Sequence, residues 1–148
     1  MTRSSRLFLF PDINVWVALS YERHVHHSAA RRWLEAQGPS TRLFFCRFTQ
    51  LGFLRLATSE AVMGADVLSQ QEAWAAYDRW LDDERVELLQ EPDGIETHFR
   101  MLAASVHAAT KDWADSYLAA FALSARLTIV TFDAALHKKA VAAILLKD

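Results

Sequence analysis

Four aspartates stand beside apolar stretches where carboxylates could gather: Asp12, Asp112, Asp115 and Asp133. Asp12 closes the run Leu7-Phe8-Leu9-Phe10-Pro11 and opens Ile13-Asn14-Val15-Trp16-Val17-Ala18-Leu19. Asp133 closes Leu127-Thr128-Ile129-Val130-Thr131-Phe132, and Asp112 and Asp115 stand ahead of the apolar residues 117–125. A carboxylate just past a buried strand lies at the carboxyl edge of a parallel sheet, where open α/β folds place their sites. Several carboxylates there repel one another unless a cation neutralises them, and hard cations such as Mg²⁺ take oxygen ligands. The pattern points to a metal-dependent site. Each acid also has a structural reading. Asp12 and Asp112 suit helix N-caps, Asp115 would favour a helix dipole from the first turn, and Asp133 could open a turn or cap a short helix.

Other chemistries lack the residues they require. No Gly-x-Ser-x-Gly elbow or phosphate-cradling loop is present, since Gly38, Gly52, Gly64 and Gly94 stand alone. A phosphatase with an aspartyl nucleophile would want a second aspartate two residues after Asp12, and that position is Asn14. His24, His26 and His27 have no fourth zinc ligand nearby and read as a polar helix start. Cys46 is the only cysteine, which excludes an intrachain disulfide, and its apolar neighbours make it a small buried residue. The net charge of −2 argues against indiscriminate coating of nucleic acid but leaves a nuclease open. Basic groups remain at Arg31-Arg32, Arg47, Arg55 and Lys138-Lys139, which read first as solvated helix faces.

The elements that must position the acids follow from periodicity. Residues 6–11, 42–46, 86–89 and 127–131 read as short strands, the first buried on both faces, with a possible last strand at 142–146. Helices are expected directly after residue 11 (opened by Asp12 or Asn14), at 28–36 with Ala29, Trp33 and Leu34 on one face, and at 48–57. Ser69-Gln70-Gln71-Glu72 matches a capping box opening a helix with Trp74, Tyr77 and Leu81 inward and Trp80 close to that face. Pro92-Asp93-Gly94 is a turn before a helix through Phe99, Leu102, Ala103 and Val106, and Asp112 caps another running through Ala125. Residues 58–68 show no clear period. Strands alternating with helices predict one α/β domain, a parallel sheet with helices on both faces. At 148 residues the chain is long enough for a substantial core. No apolar stretch reaches the roughly 20 residues that span a membrane. The apolar run after Arg3 and Arg6 is too short for a secretory signal, so a cytoplasmic protein with no membrane partner is expected.

Taken in order, the segments Pro11-Asp12-Ile13-Asn14-Val15-Trp16-Val17-Ala18-Leu19, His26-His27-Ser28-Ala29-Ala30-Arg31-Arg32-Trp33, Thr49-Gln50-Leu51-Gly52-Phe53-Leu54-Arg55-Leu56, Asp115-Ser116-Tyr117-Leu118-Ala119-Ala120-Phe121-Ala122 and Val130-Thr131-Phe132-Asp133 resemble a PIN domain, specifically the VapC toxin family of bacterial toxin–antitoxin modules. The likeness runs from Leu7 to about Leu136 and implies a single PIN domain over residues 1–148, a three-layer α/β fold with a central parallel sheet. It implies a Mg²⁺-dependent endoribonuclease (Mn²⁺ being an alternative ion) that hydrolyses RNA with a metal-activated water. It also implies a VapB-type antitoxin partner and a homodimer. By motif, Asp12, Asp115 and Asp133 match the first, third and fourth acids of the family and would hold the metal. The second acid, usually glutamate, is Gln50 here, which keeps an acceptor oxygen but loses the charge. Asp112 could supply that missing charge, with Asn14 and Thr131 orienting the acids. Arg47 and Arg55 are candidates for phosphate contacts or for pairing with the acids. Gln50 also keeps open a second reading, a catalytically weakened PIN-fold module that binds RNA or regulates.

Overall fold

The computed structural model describes residues 7–148. The expected strand start at Arg6 lies outside the described residues. Strands β1 (Phe8–Pro11), β2 (Arg42–Phe45), β3 (Val86–Leu88), β4 (Thr128–Thr131) and β5 (Ala143–Leu145) form one sheet in the order β3-β2-β1-β4-β5. All four pairings are parallel, with Leu9 opposite Leu43 and Phe10 opposite Ile129. Helices α1 (Ile13–Ser20), α2 (His27–Glu35), α3 (Arg47–Ala57), α4 (Glu60–Met63) and α5 (Gln70–Leu81) come before β3. Helices α6 (Ile95–Ala103) and α7 (Asp112–Ala125) lie between β3 and β4, and α8 (Ala134–Lys139) lies between β4 and β5.

Strand alternation sorts the side chains into two cores. Leu9, Leu43, Phe45 and Val130 pack with Trp16, Ala30, Phe53 and Tyr77 from α1, α2, α3 and α5. Phe10, Phe44 and Ile129 point the other way, onto Ile95, Leu118, Phe121 and Leu136 from α6, α7 and α8. Successive strand residues face opposite sides of the sheet, so short runs that are apolar at every position need helices on both faces. The expected α/β three-layer architecture is the one observed. Among the described residues, no helix is long and apolar enough to cross a membrane.

The strand order has one consequence for function. The chain leaves central β1 towards β2 and β3, then returns to the other flank of β1 for β4 and β5. The connections therefore diverge between β1 and β4, leaving a crevice at the carboxyl ends of those two strands. Asp12 follows β1 and Asp133 lies two residues beyond β4.

Several expected details differ. In α5 the buried face is Ala73, Ala76 and Tyr77, with Trp80 partly buried against it, while Trp74 and Leu81 are largely exposed. Small alanines let the helix lie close to Phe45 and Trp16, and the larger rings one turn away are displaced to the rim. Helix α6 stops at Ala103, and Val106 is almost fully exposed in the loop beyond it. Phe8 is also exposed, so β1 is buried on both faces only from Leu9 onward. Residues 58–68 contain the single turn α4, capped by the Ser59 hydroxyl, and a 3₁₀ turn over Gly64–Asp66. Elements this short carry too few turns to show a period.

Candidate functional site

Asp12 is the best-held acid of the molecule. It is the N-cap of α1, and its Oδ1 accepts from the Val15 amide at 3.0 Å. Its Oδ2 accepts from the Thr131 hydroxyl, whose oxygen accepts in turn from the Asp133 amide at 2.9 Å. Its own amide donates to Val130 O at 3.0 Å, which continues the β1–β4 ladder one residue past the strand. The N-cap role and the Thr131 contact thus coexist with a buried carboxylate facing the crevice. Burial pushes the Asp12 carboxyl up to about 6, and the nearby charge of Asp133 adds to that rise, although the Thr131 and Val15 hydrogen bonds oppose it. Desolvation is the larger of the two raising effects, and together they outweigh the hydrogen bonds.

Asp133 is exposed and caps α8, with Oδ1 accepting from the Ala135 amide at 2.8 Å. Asp115 lies in the first turn of α7, half-buried, and its carboxylate makes no hydrogen bond among the described residues. Its carboxyl is raised first by burial and then by the charges of Asp133 and Asp112, with Lys139 pulling the other way. Asp133 therefore acts electrostatically on both Asp12 and Asp115, which links the three across β1, β4 and α7.

The other candidates separate. Asp112 is the first residue of α7, and the cap position belongs to Lys111, which corrects the N-cap reading. Its Oδ2 accepts from Lys139 Nζ at 2.7 Å and from the Ser116 hydroxyl at 3.0 Å, and Lys139 holds the Asp112 carboxyl below its usual range. Gln50 is buried in the first turn of α3, where its Oε1 accepts from Arg47 Nη1 at 2.6 Å. The Tyr77 hydroxyl lies beside Gln50 without a well-formed hydrogen bond. Asn14 is exposed, and its side chain makes no hydrogen bond among the described residues. Arg55 is exposed two turns further along α3. Lys139 is the residue that sequence reasoning passed over, since one of two adjacent lysines reads as solvated unless its partner one helix away is known.

The donor set of Asp12, Asp115 and Asp133 is all oxygen, as Mg²⁺ or Mn²⁺ requires. Among the described residues no three His, Cys, Asp or Glu side chains converge tightly enough to enclose an ion. Mg²⁺ keeps several waters and commonly uses one or two carboxylates. The unpaired carboxylate of Asp115 and the free oxygen of Asp133 fit a hydrated ion of that kind, and no softer metal. A cleft of about 590 Å³ lies elsewhere, lined by Tyr21, Arg23, Phe53, Met63, Arg79 and Trp80. That cleft holds none of the gathered acids, so the chemistry of the acids, not cavity volume, locates the candidate site.

Residues 9–142 match the family model of the PIN domain. Over 131 residues the chain is 46% identical to Ribonuclease VapC41 of Mycobacterium tuberculosis, a match covering 86% of this chain and 90% of that protein. Among solved structures, the sarcin–ricin-loop-cleaving toxin VapC20 of Mycobacterium tuberculosis superposes with a TM-score of 0.65 at 15% identity, over 88% of this chain and 93% of that one. VapBC2 from Rickettsia felis, bound to a DNA fragment from its promoter, gives a TM-score of 0.66 at 11% identity, over 94% and 98%. At such identities these two structures speak for the fold.

Proposed function

From the chain's membership of the PIN-domain family, and within it of the VapC ribonuclease toxins, we propose that it is a divalent-metal-dependent endoribonuclease. The observation that carries the reading is the Asp12–Thr131–Asp133 hydrogen-bond chain at the β1/β4 crevice, with the unpaired carboxylate of Asp115 electrostatically coupled to it. Asp12, Asp115 and Asp133 are the residues that would hold Mg²⁺ or Mn²⁺, directly or through water. When bound, the ion supplies neutralisation of a scissile RNA phosphate and acidification of its own water. Thr131 fixes the orientation of the Asp12 carboxylate by donating to one oxygen, and the α1 amide of Val15 fixes the other. Asp133 is tied to α8 through Oδ1, while its Oδ2 accepts no hydrogen bond among the described residues. Asp115 has no such tether and depends on the first turn of α7 for its placement.

The partners follow from the same reading: RNA as substrate, a VapB-type antitoxin as inhibitor, a second copy of the chain in a homodimer, and a cytoplasmic site of action. A second reading, a PIN-fold module with weakened catalysis that binds RNA or regulates, draws on Gln50. That side chain is uncharged, and Arg47 already occupies its acceptor oxygen. The experiment that separates the two readings incubates purified protein with a mixed RNA pool, with Mg²⁺ or with EDTA, alongside Asp115→Asn. Cleavage that needs Mg²⁺ and falls at least about 100-fold in the variant supports the enzyme, since metal-ion catalysis supplies several kcal/mol. RNA retention without cleavage under any metal condition supports the binding module.

A further inference from the structure

Lys139 closes α8 six residues after Asp133, and its ammonium is where three helices meet. Nζ donates to Leu102 O in the last turn of α6 at 2.9 Å, to Asp112 Oδ2 at 2.7 Å and to Ser116 Oγ at 3.0 Å, the last two in the opening turns of α7. An ammonium has three donors, so this one is saturated by protein. The two ends it joins both favour a charge of the sign they receive. A cation stabilises the carboxyl end of α6, whose last carbonyls lack partners within the helix, and the anion Asp112 stabilises the amino end of α7. The Lys139 side chain is 22% exposed and that of Asp112 is 32% exposed. An exposed ion pair between flexible side chains contributes little to stability, but one whose ammonium is saturated by three acceptors also fixes geometry.

Asp115 sits between Asp112 and Ser116 in sequence, and its carboxylate makes no hydrogen bond among the described residues. Its direction is therefore that of the α7 turn which Lys139 clamps. We propose that Lys139 is a positioning residue for the acidic site: it pins the first turn of α7 so that Asp115 faces Asp133, and it keeps Asp112 permanently paired and away from the ion. The inference rests on reading Asp115 and Asp133 as metal-holding residues. It assigns Lys139 no contact with substrate.

The test uses the full chain and Mn²⁺ alone, following the thermal midpoint during a metal titration and amide exchange over residues 112–116 without metal. Lys139→Met is expected to exchange faster at those amides and to need roughly 10-fold more Mn²⁺ for half-maximal stabilisation, the scale at which supporting residues affect metal sites. Its RNA cleavage rate should recover as Mn²⁺ is raised, with KM for RNA unchanged. Because an abandoned Asp112 could unfold the turn, Lys139→Met/Asp112→Leu replaces the pair by apolar groups. That folded double variant should also bind Mn²⁺ weakly, because the clamp onto Leu102 and Ser116 is still missing. Wild-type Mn²⁺ affinity in either variant overturns the proposal, as does tighter binding in Lys139→Met, which would make released Asp112 a ligand. A wild-type protein that ignores Mn²⁺ refutes the metal site itself and is distinguishable from both outcomes.

Discussion

At the scale of the residue, the molecule keeps a buried carboxylate that destabilises it. Asp12 is raised from 3.8 to about 6, so between those values the folded state binds a proton that the unfolded chain has already released. Stability therefore falls as pH rises through that window, by up to about 3 kcal/mol, and the deficit is fully present at neutral pH. Burying one large apolar side chain such as Phe10 or Trp16 contributes roughly 2–3 kcal/mol, so a single core residue offsets it. Asp12→Asn should raise metal-free stability at pH 7.5 by about 1–2 kcal/mol in urea denaturation. Asparagine remains a good N-cap, and the gain should vanish at pH 4. Equal stabilisation at both pH values would show that charge is not the cause. Gln50 poses the opposite question. In Gln50→Glu the new carboxylate gains the pairing that Arg47 now gives the amide oxygen, so Mn²⁺ binding should tighten modestly, and further in Gln50→Glu/Arg47→Ala. Calorimetric titration showing no change in either variant would place Gln50 outside the acidic set. The sequence made Asp12, Asp115 and Asp133 legible because each adjoins an apolar run. It could not reveal that Asp112 is held by Lys139, because that contact spans 27 residues and depends on where α8 lands.

At the scale of the element, helix starts place the acids, and the contact between α1 and α3 sets how those starts approach. Gly52 makes that contact possible: a Cβ there would lie 2.2 Å from Ile13 Cδ1 and 2.7 Å from Cγ1. Ile13 follows Asp12 directly and, being β-branched, has few rotamers with which to yield. Gly52→Ala should cost about 1–3 kcal/mol despite alanine's better helix propensity, because overpacking outweighs the roughly 1 kcal/mol propensity gain. Gly52→Ala/Ile13→Ala should recover most of the loss; thermal unfolding that shows no coupling between the two would refute close packing as the cause. What the sequence showed well at this scale was local. Ser69 and Glu72 form the reciprocal capping bonds that their spacing predicts, at 3.1 and 3.0 Å. What it hid was tertiary: an apolar residue at helical spacing does not say whether a neighbour exists to cover it. Trp74 and Val106 both fit the pattern, and both are left in the open by the edges of the core.

At the scale of the whole molecule, the return of the chain across β1 puts Asp12 and Asp133 side by side although 121 positions separate them. Continuous apolar runs alternating with helices predict a parallel sheet but not the order of its strands, so the parallel class was legible and the crevice was not. That crevice predicts the ends of the products. If Asp12, Asp115 and Asp133 hold a divalent ion as proposed, the ion would acidify a water for attack in line with the 3′ oxygen, which would leave and take up a proton. The cut RNA should then carry a 5′-phosphate on the downstream piece and a 3′-hydroxyl on the upstream one. Attack by the substrate's own 2′-hydroxyl would instead leave a 2′,3′-cyclic phosphate and would need a base and an acid independent of metal. The histidines offer little for that route. His98 is tied to Ser124 Oγ at 2.8 Å, and His107 sits in the exposed loop beyond α6. His26 stacks on Phe132 beside the site, but its Nδ1 is held by Asp148 at 2.8 Å. End-group analysis of a labelled RNA cut with Mg²⁺, and again with EDTA, decides between the routes. Cyclic phosphate ends that persist in EDTA and are lost in His26→Ala would transfer the chemistry from the aspartates to the imidazole at their edge.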